Sequence, residues 1–162
     1  MSEAKIQIGI LVLSDRASAG VYEDESGPEA IEALKGVGDV AEKEVIPDDS
    51  SRIREILIDW SDKRRLDVIF TLGGTGFSAR DVTPEATRLV LDRETPGITT
   101  ALLLNGLEKT KRAMLSRAAS GLRGHTLIVN LPGKTSAVRE SIEYLRDVLP
   151  HAVGMAHGGD HE

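Results

Sequence analysis

A short apolar segment, Asp67 to Leu72, runs without a break into Gly73-Gly74-Thr75-Gly76, and Asp81 and Thr83-Pro84 follow closely. The apolar run reads as a buried strand, and Thr-Pro reads as a helix start. Glycine carries no Cβ, so three glycines in four positions let backbone N–H groups approach an anion. A carboxylate just past such a loop can hold a hard cation such as Mg2+ against phosphate oxygens. The segment predicts a site for a phosphorylated ligand at the carboxyl end of a strand.

The rest of the chain supplies a scaffold for that end. Ile6 to Leu13 is a nearly continuous Ile/Leu/Val run, as in a strand covered on both faces. Val40 to Ile46 and Thr126 to Leu131 read as further strands, and Met114 to Gly121 as an extended segment joined to the latter by a turn at Leu122-Arg123-Gly124. Helices are expected from a Ser26 cap to Lys35, from Ser51 to Trp60, from Pro84 to Leu91, from Thr95-Pro96 to Glu108 and from Ser136 to Leu149. In the fourth of these, Ile98, Ala101, Leu102 and Leu104 are assigned to the inner side. Residues 17–25 read as a polar, flexible stretch, and Ala156 to Glu162 as a fraying tail. Alternating strands and helices predict one α/β domain over residues 1–162, a three-layer α/β/α sandwich around a mainly parallel sheet. Parallel strands share one carboxyl edge, where ligands of such sheets sit. Ser14 to Ser18, Gly73 to Asp81 and Pro132 to Ser136 should converge there, with Pro47-Asp48 bringing a second carboxylate.

Composition removes several functional classes. The net charge of −6 argues against broad nucleic-acid or anionic-membrane binding, which needs a basic face. Two Phe, two Tyr and one Trp are too few for a base-stacking platform. With no cysteine, disulfides, thiolate catalysis and Cys-based zinc sites are excluded, and a reducing cytoplasm is the expected location. The first apolar run has eight residues, too few to span a membrane, and no cleavage-site pattern follows it.

Two nucleotide motifs nearly match and fail. Gly133-Lys134-Thr135 ends like a P-loop, but the required earlier glycine is Ile128, inside a strand. Gly74 to Ala79 fits the loose dinucleotide pattern, but no uninterrupted helix begins at once and no acidic strand end follows. Taken singly, the remaining features have plain structural readings. The glycine loop is a tight turn, Asp81 an N-cap-like residue, Asp49 a helix cap, Lys63-Arg64-Arg65 a solvated helix end, and His151, His157 and His161 a solvated tail. The expected meeting of the glycine loop, Asp81, Pro47-Asp48 and Ser14-Asp15-Arg16 at one sheet edge favours a site.

Longer motifs then connect these pieces. Ser14-Asp15-Arg16-Ala17-Ser18, Tyr22 and Asp24, Ile46-Pro47-Asp48, Gly73 to Gly76, Arg80 to Thr87, Arg93-Glu94, Pro96-Gly97, Leu115-Ser116-Arg117 and Asn130 to Gly133 occur in the order and spacing of the MogA-type molybdopterin adenylyltransferases. The chain resembles that family over nearly its whole length. The resemblance implies a homotrimer that moves AMP from ATP to the terminal phosphate of molybdopterin, releasing pyrophosphate with Mg2+ present. It implies that Asp48 and Asp81 are catalytic and metal-positioning. It carries Ser14, Asp15, Gly73, Gly74, Thr75, Gly76, Ser116, Arg117, Pro132 and Gly133 into the ligand site. The adenylylated product would pass to a metal-insertion enzyme. Lys134-Thr135 departs from the family's usual late loop, where Asn-Pro or Gln-Pro follows the glycine. A carboxylate facing phosphate needs a cation between them, and an attacking phosphate is already ionised near neutral pH, so metal positioning suits Asp81 better than general-base work. The alternatives are a non-catalytic pterin-binding or scaffold protein of the same pathway, and a nucleotide pyrophosphatase.

Overall fold

The computed structural model describes residues 5–159. The chain starts with strand β1 (Ile6–Leu13), the short helix α1 (Asp15–Ser18) and helix α2 (Ser26–Ala33), then strand β2 (Gly38–Ile46), helix α3 (Ser50–Asp62) and strand β3 (Val68–Leu72). Helix α4 (Thr83–Val90), strand β4 (Arg93–Glu94), helix α5 (Pro96–Leu107), a 3-10 turn (Lys111–Leu115), strands β5 (Ser120–Arg123) and β6 (Thr126–Leu131), and helices α6 (Thr135–Leu145) and α7 (Leu149–Ala156) complete it. The strands form one sheet in the order β2-β1-β3-β6-β5-β4. β2, β1, β3 and β6 are parallel, and β5 runs antiparallel to both its neighbours. The expected α/β architecture with a mainly parallel central sheet is therefore the observed one.

Strand side chains alternate between two cores. Ile8, Ile10 and Val12 pack with Phe70, Val129 and residues of α2, α6 and α7 on one face. Leu11 and Leu13 pack with Ile69, Ile128 and residues of α3 and α4 on the other. This is the period-two geometry of a strand buried on both sides. Gly9 falls on the second face because Trp60 leaves no room there; a Cβ would lie 2.7 Å from Trp60 Cε3.

Several local expectations differ from the structure. Ser26 does not cap α2; Asp24 Oδ1 accepts from the N–H groups of Ser26 and Gly27 at 3.1 and 3.2 Å. Both are small polar cap formers, and the one two residues upstream reaches the free amides. The polar stretch after β1 begins with α1, capped by Ser14, whose Oγ accepts from Ala17 N. Residues 111–115 coil into the 3-10 turn, and pairing starts only at Ser120. Leu122 and Arg123 lie within β5, so the turn is Gly124-His125. Ile98 and Leu102 of α5 pack against the core, whereas Leu104 is 60% exposed because α5 meets the sheet by one edge. Helix α6 stops at Leu145. Pro150 has no N–H for the carbonyl of Arg146, so the ladder cannot run through, and α7 starts afresh with that proline in its first turn. The tail expected to fray from Ala156 is held through His157, whose Nε2 meets Asp67 Oδ1 at 2.8 Å. Residues 160–162, with His161, lie outside the described residues.

A buried polar link ties β6 to its surroundings. Asn130 is fully buried; its Nδ2 donates to Thr71 Oγ1 at 2.8 Å and Thr87 Oγ1 at 3.0 Å, and its Oδ1 accepts from Ala119 N at 3.0 Å. Asn130→Ala should cost about 2–4 kcal/mol by stranding three buried partners, lowering the melting temperature by about 5–15 °C. Thermal unfolding followed by circular dichroism checks this, and an unchanged midpoint would contradict it.

Candidate active site

Each of the four parallel strands delivers its carboxyl end to one place. β1 and β3 are neighbours, but β2 lies on the far side of β1 and β6 on the far side of β3. The strand order thus reverses direction between β1 and β3, the position where open α/β sheets form a crevice. There a polar cavity of about 860 Å³ opens, lined by Ser14, Asp15, Asp48, Gly73, Gly74, Thr75, Gly76, Asp81 and Gly133, among others. The structure brings these nine sequence-predicted residues together. Ser116, Arg117 and Pro132 line an adjoining cavity of about 610 Å³, which shares Thr75 and Gly76 with the first.

The glycines are there for space and conformation. Gly73 and Gly74 have φ of +104° and +70°, values that side chains other than hydrogen strain to adopt. A Cβ on Gly73 would lie 2.5 Å from the Leu13 carbonyl oxygen. One on Gly74 would lie 2.2 Å from Thr83 Oγ1 and 2.9 Å from Asp48 Oδ1. Those two oxygens are buried without a hydrogen-bond partner among the described residues. They converge on the same side of Gly74.

The acidic residues are arranged by reciprocal bonds. Asp48 N donates to Asp15 Oδ1 at 3.0 Å, and Asp15 N to Asp48 Oδ2 at 3.3 Å. Arg80 grips Asp15 with Nε and Nη2 at 3.0 and 2.9 Å. The Arg80 hydrogen bonds, helped by the Asp48 amide, hold the Asp15 carboxyl below its usual range. Burial, then the charge of Asp15, pushes the Asp48 carboxyl up, and Asp81 adds to this. Asp81 does not cap α4; its Oδ2 accepts from Ser78 N at 2.9 Å, closing the loop on itself.

Sequence reasoning named Asp15 and Arg117 as ligand contacts, and the structure gives both of them protein partners. It named Arg80, Tyr22 and Thr83 within the family motifs but gave none of them a site role; the Tyr22 hydroxyl meets Ser14 Oγ at 2.8 Å, and Thr83 is buried. Arg80 and Asp15 are 65 residues apart, so nothing local signals their pairing.

Comparison with known proteins gives the family of the chain. Residues 9–151 match the family model described as "Probable molybdopterin binding domain". The chain is 39% identical over 163 residues to a molybdopterin adenylyltransferase of Helicobacter pylori, covering 94% of this chain and 89% of that protein. It is 38% identical over 159 residues to gephyrin of Dictyostelium discoideum, covering 91% of this chain but spanning only 22% of that longer protein. The fold superposes with a TM-score of 0.89 on the molybdopterin biosynthesis enzyme MoaB of Thermus thermophilus, at 45% identity and covering 97% of this chain and 99% of that one.

The opposite shifts at Asp48 and Asp15 give opposite stability effects. A carboxyl raised in the folded state stabilises below its unfolded pKa of about 3.9, and that contribution is lost as pH rises through the folded value. Asp48→Asn should therefore melt about 1–3 °C above the parent at pH 7, a solvent-screened gain that shrinks toward pH 4. Asp15 contributes above its unfolded pKa and loses that contribution as pH falls, so Asp15→Asn should melt below the parent at pH 7. Melting curves between pH 4 and 8 check both signs, and a lower midpoint for Asp48→Asn at pH 7 would contradict the first.

Proposed function

We propose molybdopterin adenylyltransferase activity for this chain, which belongs to the molybdopterin-binding domain family. A terminal phosphate oxygen of molybdopterin attacks the α-phosphorus of ATP; the bond from that phosphorus to the β-bridging oxygen breaks, and pyrophosphate leaves. This step lies in molybdenum cofactor biosynthesis, in the cytoplasm, and the chain acts as a single domain over residues 1–162. The observation that carries the reading is the meeting of Asp48, Asp81 and the glycine cradle on one polar cavity at the sheet's switch point.

The donor set suits a hard divalent ion. Asp48 Oδ1 is a buried carboxylate oxygen without a partner among the described residues, and Asp81 faces the same cavity. No group of three His, Cys, Asp or Glu side chains among the described residues could hold a metal by itself. That pattern fits Mg2+, which takes one or two carboxylates and completes its shell with water and substrate phosphates. Asp48 and Asp81 would hold it, and when bound it supplies charge neutralisation between the reacting phosphates. Gly73 N–H donates to the Leu131 carbonyl oxygen, and the amides of Gly74 to Gly76 bind phosphate oxygens and keep attacking and leaving oxygens in line. Ser14 and Gly133 border the same cavity, and Ser116 and Pro132 its neighbour, where they bind the remainder of the two substrates.

The same reading includes a homotrimer and transfer of the product to a metal-insertion enzyme. The apolar helix α5 supports self-association: none of its residues is buried in the single chain, and Leu103, Leu104 and Leu107, with Met114 and Leu115 beside it, are exposed. Light scattering should give the mass of three chains; a monomer at micromolar concentration would reject the trimer.

The activity is tested with purified protein, Mg-ATP and molybdopterin. Pyrophosphate should appear only when both substrates are present. Asp81→Asn should keep pterin binding and lose about a hundredfold or more in turnover. Binding without pyrophosphate release would reject catalysis in favour of a carrier role, and release without pterin would point to a pyrophosphatase.

A further inference from the structure

Arg117 sits beneath the loop that carries Asp81 and bonds both to that loop and to the helix that follows it. Nε donates to the Gly76 carbonyl oxygen at 2.8 Å, and Nη2 to the Asp81 carbonyl oxygen at 2.8 Å. Nη1 pairs with the Glu85 carboxylate at the start of α4. The backbone joins in, since Arg117 N donates to the Thr75 carbonyl oxygen at 2.9 Å. One residue thus holds the glycine cradle at Thr75 and Gly76, the far end of the loop at Asp81, and the helix beyond it.

Among the described residues, the loop between those anchors is closed just outside them by Thr83 N donating to the Gly74 carbonyl oxygen at 3.2 Å, and few other bonds reach it. Its internal bonds are local: Ser78 N to Asp81 Oδ2, Asp81 N to Ser78 O, and a long Arg80 N to Ser78 Oγ contact at 3.4 Å. Phe77 at its tip is 70% exposed and adds no packing. Its other outside tie is the Arg80–Asp15 pair, at the opposite side of the loop. A planar fork is what two carbonyls and a carboxylate at fixed separation require, and an ammonium cannot reproduce it.

We propose that Arg117 is a positioning residue that sets the Asp81 carboxylate relative to the Gly73–Gly76 cradle, and that it does not itself bind phosphate. This rests on the adenylyl-transfer reading given above. Three of the five guanidinium N–H donors, one on each nitrogen, already go to protein partners, so the loop and Glu85 set the orientation of the fork. The residue also joins the two cavities: it lines the smaller one, and the loop it holds lines the larger one.

The test uses Arg117→Gln and Arg117→Lys beside Asp81→Asn and the Arg117→Gln/Asp81→Asn double variant, each checked for native circular dichroism. ATP affinity measured by calorimetry in EDTA should stay within about threefold of the parent in both Arg117 variants. Mn2+ affinity, read by electron paramagnetic resonance, should weaken roughly tenfold, as when an outer-shell partner is lost. Turnover should fall about a hundredfold at little-changed KM, the cost of a misplaced group, and lysine should not rescue it. In the Asp81→Asn background, Arg117→Gln should cost less than about twofold more. Weaker ATP binding in EDTA, rescue by lysine, or a multiplying double-variant effect would each overturn the proposal in favour of a direct phosphate contact. If the parent protein turns nothing over, the adenylyl-transfer reading fails by itself. Hydrogen exchange still decides about Arg117: exchange at residues 76–81 should rise in Arg117→Gln, and an unchanged pattern there overturns the positioning role.

Discussion

The site depends on two consecutive residues having no side chain. Gly73 and Gly74 turn β3 sharply in a backbone region that favours glycine, and they do so where the Leu13 carbonyl and the Thr83 hydroxyl leave no space for a Cβ. The close approach of β1, β3 and β6 at this edge follows from that. Gly73 N bonds to the Leu131 carbonyl oxygen, and Gly133 lies against Gly73, its own Cβ position only 3.3 Å from Gly73 Cα. With the strand ends drawn together, Asp48 from β2 and Asp81 from the loop after β3 share one cavity. A bulkier residue at either glycine would push apart the walls that give the cavity its polar lining.

Electrostatics then set what the cavity will accept. Asp15, Asp48 and Asp81 all border it, which would repel a polyphosphate in the absence of compensation. The protein neutralises Asp15 with Arg80 and leaves Asp48 raised, partly buried and, among the described residues, one oxygen short of a partner. An unmet carboxylate beside a row of glycine amides is a poor arrangement for stability and a suitable one for a cation–phosphate pair. On the proposed reading, stability is given up at Asp48 for binding, a common compromise at functional sites.

Much of this was legible in the sequence because the strong signals are periodic or conformationally forced. The Ile/Leu/Val runs of β1, β3 and β6 could only be buried strands, the glycine pair after Leu72 could only be a special turn, and a parallel sheet then had to bring the loops after them to one edge. What was not legible depends on partners far away in the chain. The Arg80–Asp15 grip spans 65 positions, and the Arg117 fork reaches 41 positions back to Gly76. Short-range competition hid other details, such as Asp24 rather than Ser26 capping α2. Helix α7 was not anticipated: the expected helix ran from Ser136 to Leu149, and Pro150 is the first-turn residue of a separate one. The outward face of α5 has the composition of a core helix, and sequence pattern alone cannot say that Leu103, Leu104 and Leu107 stay exposed in the single chain.

The most direct measurement is a crystal structure of the protein soaked with ATP and Mg2+. The account requires the triphosphate to lie along Gly73 to Gly76, with a metal ion about 2.0–2.1 Å from a carboxylate oxygen of Asp48 or Asp81 or linked to it through one water. A triphosphate bound elsewhere, with neither aspartate near its cation, would contradict it.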